Sequence, residues 1–264
     1  IMRLAFEVSY IGTFFCGSQQ QIGKRTVMGE ILRCLSELNL FSDDSTRRVA
    51  ISGRTDKGVS AKRQVIAFDT EYPKRAVSAV NKKLPPDIRF TGWSEVSDDF
   101  NPRFSAKSRT YRYYFPDGIS GIFYDADLMN DAASLFVGRH NFSSFSKPEG
   151  KNPNREILSS KIFCEDEFLI FEICGQSFLW NMVRCISFCL EKAGRGEISA
   201  DEIERALMNP SNRRFPAAPP EGLILWDVNC EIDFKPVNIH EKSIAFSNEW
   251  VALYSQLRKL NEIW

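Results

Sequence analysis

The sequence predicts an α+β protein in two halves, each with the element order β-α-β-β-α-β. Short segments with apolar residues at every second position alternate with segments of helical periodicity, and the same order occurs twice. The 264 residues are 43% hydrophobic and 26% charged, which is enough apolar material for a sizeable core. We therefore expect two ferredoxin-like halves with antiparallel sheets, residues 1–100 and 101–232, and a C-terminal extension, residues 233–264.

In the first half, apolar residues alternate from Leu4 to Tyr10, which predicts a half-buried strand. Thr26 is a suitable N-cap for the first helix, and Pro73 is suited to the first turn of the second. The other strands of this half are expected near residues 48–52, 64–68 and 87–96.

In the second half, strands are expected near residues 109–115, 157–163, 168–174 and 223–228. Helices are expected near residues 128–137, 177–193 and 200–208. Apolar residues at helical spacing in residues 248–264 predict a further helix that serves packing or an interface.

The seven cysteines are odd in number and lack metal-type spacing, so they are expected to be buried free thiols in a reducing compartment. We therefore expect a cytoplasmic protein. The longest apolar run, from Phe178 to Leu190, contains Asn181 and Arg184 and is too short to cross a bilayer. No membrane association is expected.

The formal net charge is zero and the pI is about 6.9, which gives no global indication of nucleic-acid binding. Between Arg47 and Arg63, however, there are six basic residues and a single acid, Asp56. This segregation suggests one positive surface on a neutral protein. Charge scattered over solvated faces explains the counts equally well.

Asp56 lies in the stretch ISGRTDKGVSAKRQ, in the predicted loop between the second and third strands. The surrounding positive charge favours an ionised carboxylate, which suits a nucleophile or an electrostatic stabiliser. An Arg–Asp pair that only locks the turn has the same sequence pattern. On these residues alone, the structural interpretation is favoured.

Two further segments contain candidate site residues. In the strand SRTYRYYF, Tyr113 and Phe115 are expected to pack in the core, whereas Tyr111 could pack there or stack on an extruded base. In the predicted helix from Ser177, Arg184 lies off the apolar stripe and needs an anionic partner. Asp56 and the nearby Glu191 are both candidates for that partner.

Five segments, in this order, resemble the TruA-type tRNA pseudouridine synthase A family. The family motifs G-R-T-D-x-G-V, R-T-Y-R-Y, F-S-S-F, S-F-L-x-N-M-V-R and A-P-P-x-G-L correspond to residues 53–59, 109–113, 142–145, 177–184 and 218–223. The similarity extends from about Leu4 to Val228. The segment from Cys16 to Gln19 departs from the pattern, since the family usually has an aromatic residue there.

The resemblance implies two ferredoxin-like halves with a central RNA-binding cleft. It also implies that Asp56 is the catalytic nucleophile and that Tyr111 stacks on the target uridine. By the same resemblance Arg184 pairs with Asp56, Arg54 helps to hold the flipped-out nucleotide, and Leu223 lines the pocket.

The resemblance implies isomerisation of uridine to pseudouridine at positions 38, 39 and 40 of tRNA, by a homodimer. This reaction involves no net redox change, so neither a metal nor a cofactor is expected. Two alternatives are a non-catalytic RNA-binding protein and a synthase with different or broader RNA targets. A glycoside hydrolase is less consistent with these motifs, because it usually needs two carboxylates across a cleft.

Overall fold

The computed structural model describes residues 1–40, 48–116, 123–147, 149–166, 168–210 and 214–261. Arg47, part of the basic run, lies outside these residues. The chain divides into two compact units. Unit 1 comprises Ile1–Ala106 and Val228–Trp264, and unit 2 comprises Lys107–Asp227.

Unit 1 contains a sheet with the strand order β10-β4-β1-β3, and β2 also pairs with β3. Its pairings are antiparallel. The strands are β1 Met2–Tyr10, β2 Ala50–Ile51, β3 Ser60–Thr70, β4 Ile88–Glu95 and β10 Lys235–Pro236. The helices are α1 Val27–Glu37, α2 Pro73–Lys83, α3 Pro102–Ser105 and α7 Glu241–Asn261, with a 3₁₀ turn at Gly12–Phe14.

Two predicted helix starts in unit 1 are confirmed. The Thr26 side chain caps α1 by accepting a hydrogen bond from the Gly29 backbone N–H at 3.2 Å. Pro73 is the first residue of α2, where its missing N–H costs nothing.

The prediction of a half-buried first strand was wrong, because β1 is buried on both faces. Glu7 and Arg3, which alternate with the apolar residues, are only 7% and 4% exposed. Each is compensated by an ion pair: Glu7 with Arg63, and Arg3 with Asp69 at 2.7 Å. The polar positions of the alternation are therefore buried as charge pairs.

Unit 2 contains a sheet with the strand order β9-β5-β8-β7-β6. The pairings of β5 with β8, β8 with β7 and β7 with β6 are antiparallel. The strands are β5 Ser108–Phe115, β6 Gly138–Asn141, β7 Asn154–Glu165, β8 Phe168–Gly175 and β9 Leu223–Asn229. The last two residues of β9, Val228 and Asn229, are assigned to unit 1. The helices are α4 Ala126–Ser134, α5 Met182–Gly194 and α6 Ala200–Met208, with 3₁₀ turns at Ser143–Phe145 and Pro220–Gly222.

Helix α5 starts five residues later than the expected Ser177, so that prediction was wrong at its N-terminal end. Asn181 has φ of 60° in the left-handed region, and Trp180 forms a β-bridge with Lys147. These features keep residues 177–181 out of the helix, so Phe178 does not belong to its apolar stripe. By contrast, α6 has the predicted bounds and a complete capping box between Ser199 and Glu202.

The α+β class and the antiparallel pairing are confirmed. The ferredoxin-like topology of each half and the domain boundaries at residues 100 and 232 stay predictions. The C-terminal helix is present, but it begins at Glu241, earlier than its sequence spacing indicated.

The cysteine prediction was partly wrong. Four of the seven are buried, but Cys164 is exposed near the end of β7, and Cys16 and Cys174 are half-buried. All seven are free thiols. In the described part of the chain, no helix has the length and apolar character needed to span a membrane.

Candidate active site

Asp56 lies on the loop from Gly53 to Val59, between β2 and β3 of unit 1. The loop turns back on itself after Asp56, because the Val59 N–H donates to the Asp56 carbonyl at 3.2 Å and Gly58 has φ of 86°. Asp56 is half-buried, while Arg54 and Lys57 on either side are exposed. The loop therefore presents one partly shielded carboxylate between two exposed cations.

The residue before Asp56, Thr55, is held by a buried hydrogen-bond network. The Thr55 N–H donates to Ser18 Oγ at 2.8 Å, and the Ser18 N–H donates to the Thr55 carbonyl at 3.1 Å. The Tyr10 hydroxyl lies 2.8 Å from Thr55 Oγ1. Burial raises the pKa of Tyr10 to about 12, while hydrogen bonds to Thr55 and Gln64 act in the opposite direction.

Gln64 on β3 fixes the start of the same loop. Its Nε2 donates to the Gly53 carbonyl at 3.0 Å, and its Oε1 accepts from the Ser52 hydroxyl and from the Val65 N–H. Gln64 is completely buried, and its bonds to Ser52 and Val65 are shielded from water. The loop is thus braced both at its start and immediately before Asp56.

Part of the basic run around Asp56 forms ion pairs inside unit 1. Arg48 pairs with Asp69 at 2.8 Å, and Arg63 pairs with Glu7. The other two basic residues closest to Asp56, Arg54 and Lys57, are exposed. Their charges therefore face solvent on either side of the carboxylate.

In unit 2, Tyr111 lies on β5 and is half-buried, with its ring edge-to-face with Phe178 at a centroid distance of 5.1 Å. Tyr113 and Phe115, on the same face of the strand, are 4% and 2% exposed, as predicted for core residues. Tyr111 therefore differs from both in being only partly buried.

Arg184 lies in the first turn of α5 and is half-buried. Its Nε donates to the Ala218 carbonyl at 2.7 Å, and its Nη1 donates to Asn181 Oδ1 at 3.3 Å. Glu191, the local candidate partner, forms an ion pair with Arg195 at 2.9 Å. These contacts fix the guanidinium by hydrogen bonds from two neighbouring segments.

Leu223 is the first residue of β9, the strand next to β5, and is 5% exposed. Tyr111 contacts Phe178, and Arg184 contacts Asn181, so residues 177–181 contact both predicted site residues. Unit 2 thus supports Tyr111, Arg184 and Leu223 on adjoining elements, while Asp56 and Arg54 share the unit 1 loop.

Within the described residues, no group of three His, Cys, Asp or Glu side chains could hold a metal ion.

The sequence interpretation missed Ser18, Tyr10 and Gln64, which brace the Asp56 loop. Ser18 could have been noticed because it lies in the segment from Cys16 to Gln19, which departs from the family pattern. Tyr10 and Gln64 had no signal of their own, since a tyrosine at the end of β1 and a glutamine within β3 are ordinary strand residues.

Comparison with known proteins decides the family. A family model described as tRNA pseudouridine synthase matches residues 132–230. A protein of Methanoculleus marisnigri named tRNA pseudouridine synthase A is 51% identical over 238 residues, which cover 90% of this chain and 86% of the relative. The chain belongs to the tRNA pseudouridine synthase A family. It is therefore an isomerase.

Further relatives agree with this family. A tRNA pseudouridine synthase A of Methanocorpusculum labreanum is 46% identical, with 89% of this chain and 83% of the relative covered. One of Thermococcus kodakarensis is 42% identical, with 86% and 84% covered. Among solved structures, a chain of a Cbf5-Nop10-Gar1 complex matches with a TM-score of 0.37 at 11% identity, over 72% of this chain and 44% of the other. That similarity is too low to support any conclusion.

Proposed function

We propose that this isomerase converts uridine to pseudouridine in the anticodon arm of tRNA, at positions 38, 39 and 40, with Asp56 as the nucleophile. The main support is the half-buried carboxylate of Asp56, placed between exposed cations on a loop whose backbone is held by buried hydrogen bonds. Such a rigid, charged loop suits a nucleophile that must meet an RNA strand.

Each of the other predicted residues has a role on the same uridine. We propose that the exposed Arg54 binds a phosphate next to the flipped nucleotide and that the half-buried ring of Tyr111 stacks on the base. Leu223 forms an apolar wall of the base pocket. Arg184 serves as a further substrate-binding residue, held in place by its hydrogen bonds to the Ala218 carbonyl and to Asn181 Oδ1.

The reaction requires no reagent besides the carboxylate and a route for one proton. The bond from N1 to C1′ breaks, the base turns, a bond from C5 to C1′ forms, and the hydrogen at C5 leaves as a proton while N1 gains one. Asp56 acts either by attack at C1′ or by addition to the pyrimidine ring. Both routes start from an extruded base, and stacking on Tyr111 offsets part of that cost of a few kcal/mol.

The proposed partners are tRNA and a second copy of the chain. A neutral chain with few exposed basic side chains on the Asp56 loop has a small phosphate-binding surface, and a two-fold dimer would double it. Sedimentation at micromolar protein should therefore give a dimer, and a monomer would contradict this part of the proposal. The seven free thiols are consistent with work in the reducing cytoplasm.

Mapping of pseudouridine in tRNA treated with the protein tests the proposed target. We expect new pseudouridine at positions 38–40 of an unmodified transcript. A matched transcript with cytidine at these three positions should stay unmodified, because no substrate base is left. Modification elsewhere, equal in both transcripts, would contradict the proposed site and favour a synthase with different targets.

A further inference from the structure

Ser18 has no role in the chemistry proposed above, yet it is completely buried against the residue that precedes Asp56. Its Oγ accepts from the Thr55 N–H at 2.8 Å, and its own N–H donates to the Thr55 carbonyl at 3.1 Å. One residue therefore holds both backbone polar groups of Thr55. A change at Ser18 acts directly on the peptide that carries Asp56.

Ser18 is itself fixed by the start of α1. The Met28 N–H donates to the Ser18 carbonyl at 3.0 Å, and the Val27 N–H donates to the Gly17 carbonyl at 3.3 Å. Gly17 has φ of 96°, and a Cβ at this position would lie 3.1 Å from the Thr55 carbonyl oxygen. The close approach between the two segments therefore requires glycine and links a capped helix to the Asp56 loop.

Thr55 has a third anchor on the sheet side. The Tyr10 hydroxyl, at the end of β1, lies 2.8 Å from Thr55 Oγ1, and Tyr10 is 3% exposed. The helix α1 thus holds the backbone of Thr55 through Ser18, and the sheet holds its side chain through Tyr10. All of these polar groups are buried, so none can exchange its partner for water without rearrangement.

We propose that Ser18 is a positioning residue for Asp56, with Tyr10 as a second anchor. By fixing the peptide on the N-terminal side of Asp56, the two residues set the direction of the carboxylate. The inference depends on the proposed role of Asp56 as nucleophile. A misdirected carboxylate lowers the rate of the chemical step and leaves RNA binding intact, and a displacement of 1 Å can cost about 100-fold in rate.

The test is the single-turnover rate of Ser18→Ala at saturating tRNA, measured together with the Kd for the same RNA. We expect the rate to fall by roughly 10- to 100-fold, with the Kd changed by less than about threefold because the phosphate contacts of the loop stay. The matched control is Ser187→Ala, which removes a buried hydroxyl bonded to the Val183 carbonyl at 2.9 Å in unit 2. It should lower Tm but keep the wild-type rate. A Ser18→Ala rate equal to that of the control would overturn the proposal.

A second pair of variants covers the case in which Ser18→Ala does not fold. Thr55→Val keeps the shape but removes the hydroxyl that meets Tyr10, whereas Thr55→Ser keeps it. We expect a loss of about tenfold in rate for Thr55→Val and recovery in Thr55→Ser, and wild-type rates for both would contradict positioning. Asp56→Asn is measured in parallel. An active Asp56→Asn variant would show that Asp56 is not the nucleophile. If Asp56→Asn is inactive but the Ser18 and Thr55 variants keep the wild-type rate, only the positioning role is overturned.

Discussion

At the scale of single residues, Tyr10 shows how burial of one phenol supports the Asp56 loop. Its hydroxyl lies within hydrogen-bond distance of Thr55, and burial raises its pKa to about 12. A buried phenolate would be poorly solvated, so the folded protein keeps the proton where the unfolded chain releases it. Burial therefore favours the neutral phenol beside Thr55 in the folded protein.

This shift predicts a loss of stability in strong alkali. The Tyr10 phenol ionises near pH 10 in the unfolded chain and near pH 12 in the folded protein. Its contribution to the free energy of unfolding is therefore complete below pH 10 and falls between pH 10 and pH 12. Between pH 9 and pH 11 the free energy of unfolding should fall less for Tyr10→Phe than for wild type, because phenylalanine does not ionise. The two decreases should differ by roughly 1 kcal/mol at pH 11. Urea unfolding at pH 9 and pH 11 measures this difference. Tyr72→Phe, at a site 46% exposed, should behave as wild type; equal losses in all three proteins would refute the assignment.

At the scale of secondary-structure elements, the start of α5 decides where Arg184 lies. Asn181, with φ of 60°, ends the irregular segment after β8, and its Oδ1 accepts a hydrogen bond from Arg184. Asparagine adopts left-handed backbone more easily than most residues, although at a higher cost than glycine. The helix boundary and the guanidinium position therefore depend on the same residue.

Substitution at Asn181 should reverse the usual helix preference. Asn181→Ala should be less stable than Asn181→Gly by about 1 kcal/mol, because alanine is strained in the left-handed region. At the exposed Glu204 inside α6, the opposite order is expected, since glycine costs about 1 kcal/mol relative to alanine there. Denaturant midpoints of the four variants provide the comparison. The same order at both sites would show that the Asn181 conformation does not determine stability.

The elements also show what could be predicted from sequence. The bounds of α6 were predicted correctly, and its start coincides with a capping box, which is a local feature of four residues. Asp56 was correctly expected between two strands, because glycines and strand patterns are local signals. The start of α5 was missed because a left-handed asparagine and a bridge between Trp180 and Lys147 have no periodic pattern. The contact between Ser18 and Thr55 joins residues 37 apart, and pairings over such distances are not encoded in local spacing.

At the scale of the whole molecule, the chain balances 34 basic residues against 34 acidic ones. Part of this charge forms structural pairs, such as Arg48 with Asp69 and Arg3 with the same carboxylate. Binding of a polyanion must then depend on local groups of exposed basic residues and not on a global field. A nearly neutral synthase is thus expected to bind tRNA through a limited set of phosphate contacts.

We expect Asp56 to perform the chemistry and to contribute little to RNA binding. Release of tritium from tRNA labelled at C5 of uridine, measured for wild type and Asp56→Asn together with the Kd of each for the same tRNA, tests this most directly. The isosteric amide keeps the loop contacts but removes the nucleophile. We predict no detectable release by Asp56→Asn and a Kd changed by less than about tenfold, since phosphate contacts dominate affinity. Release near the wild-type rate would contradict the claim.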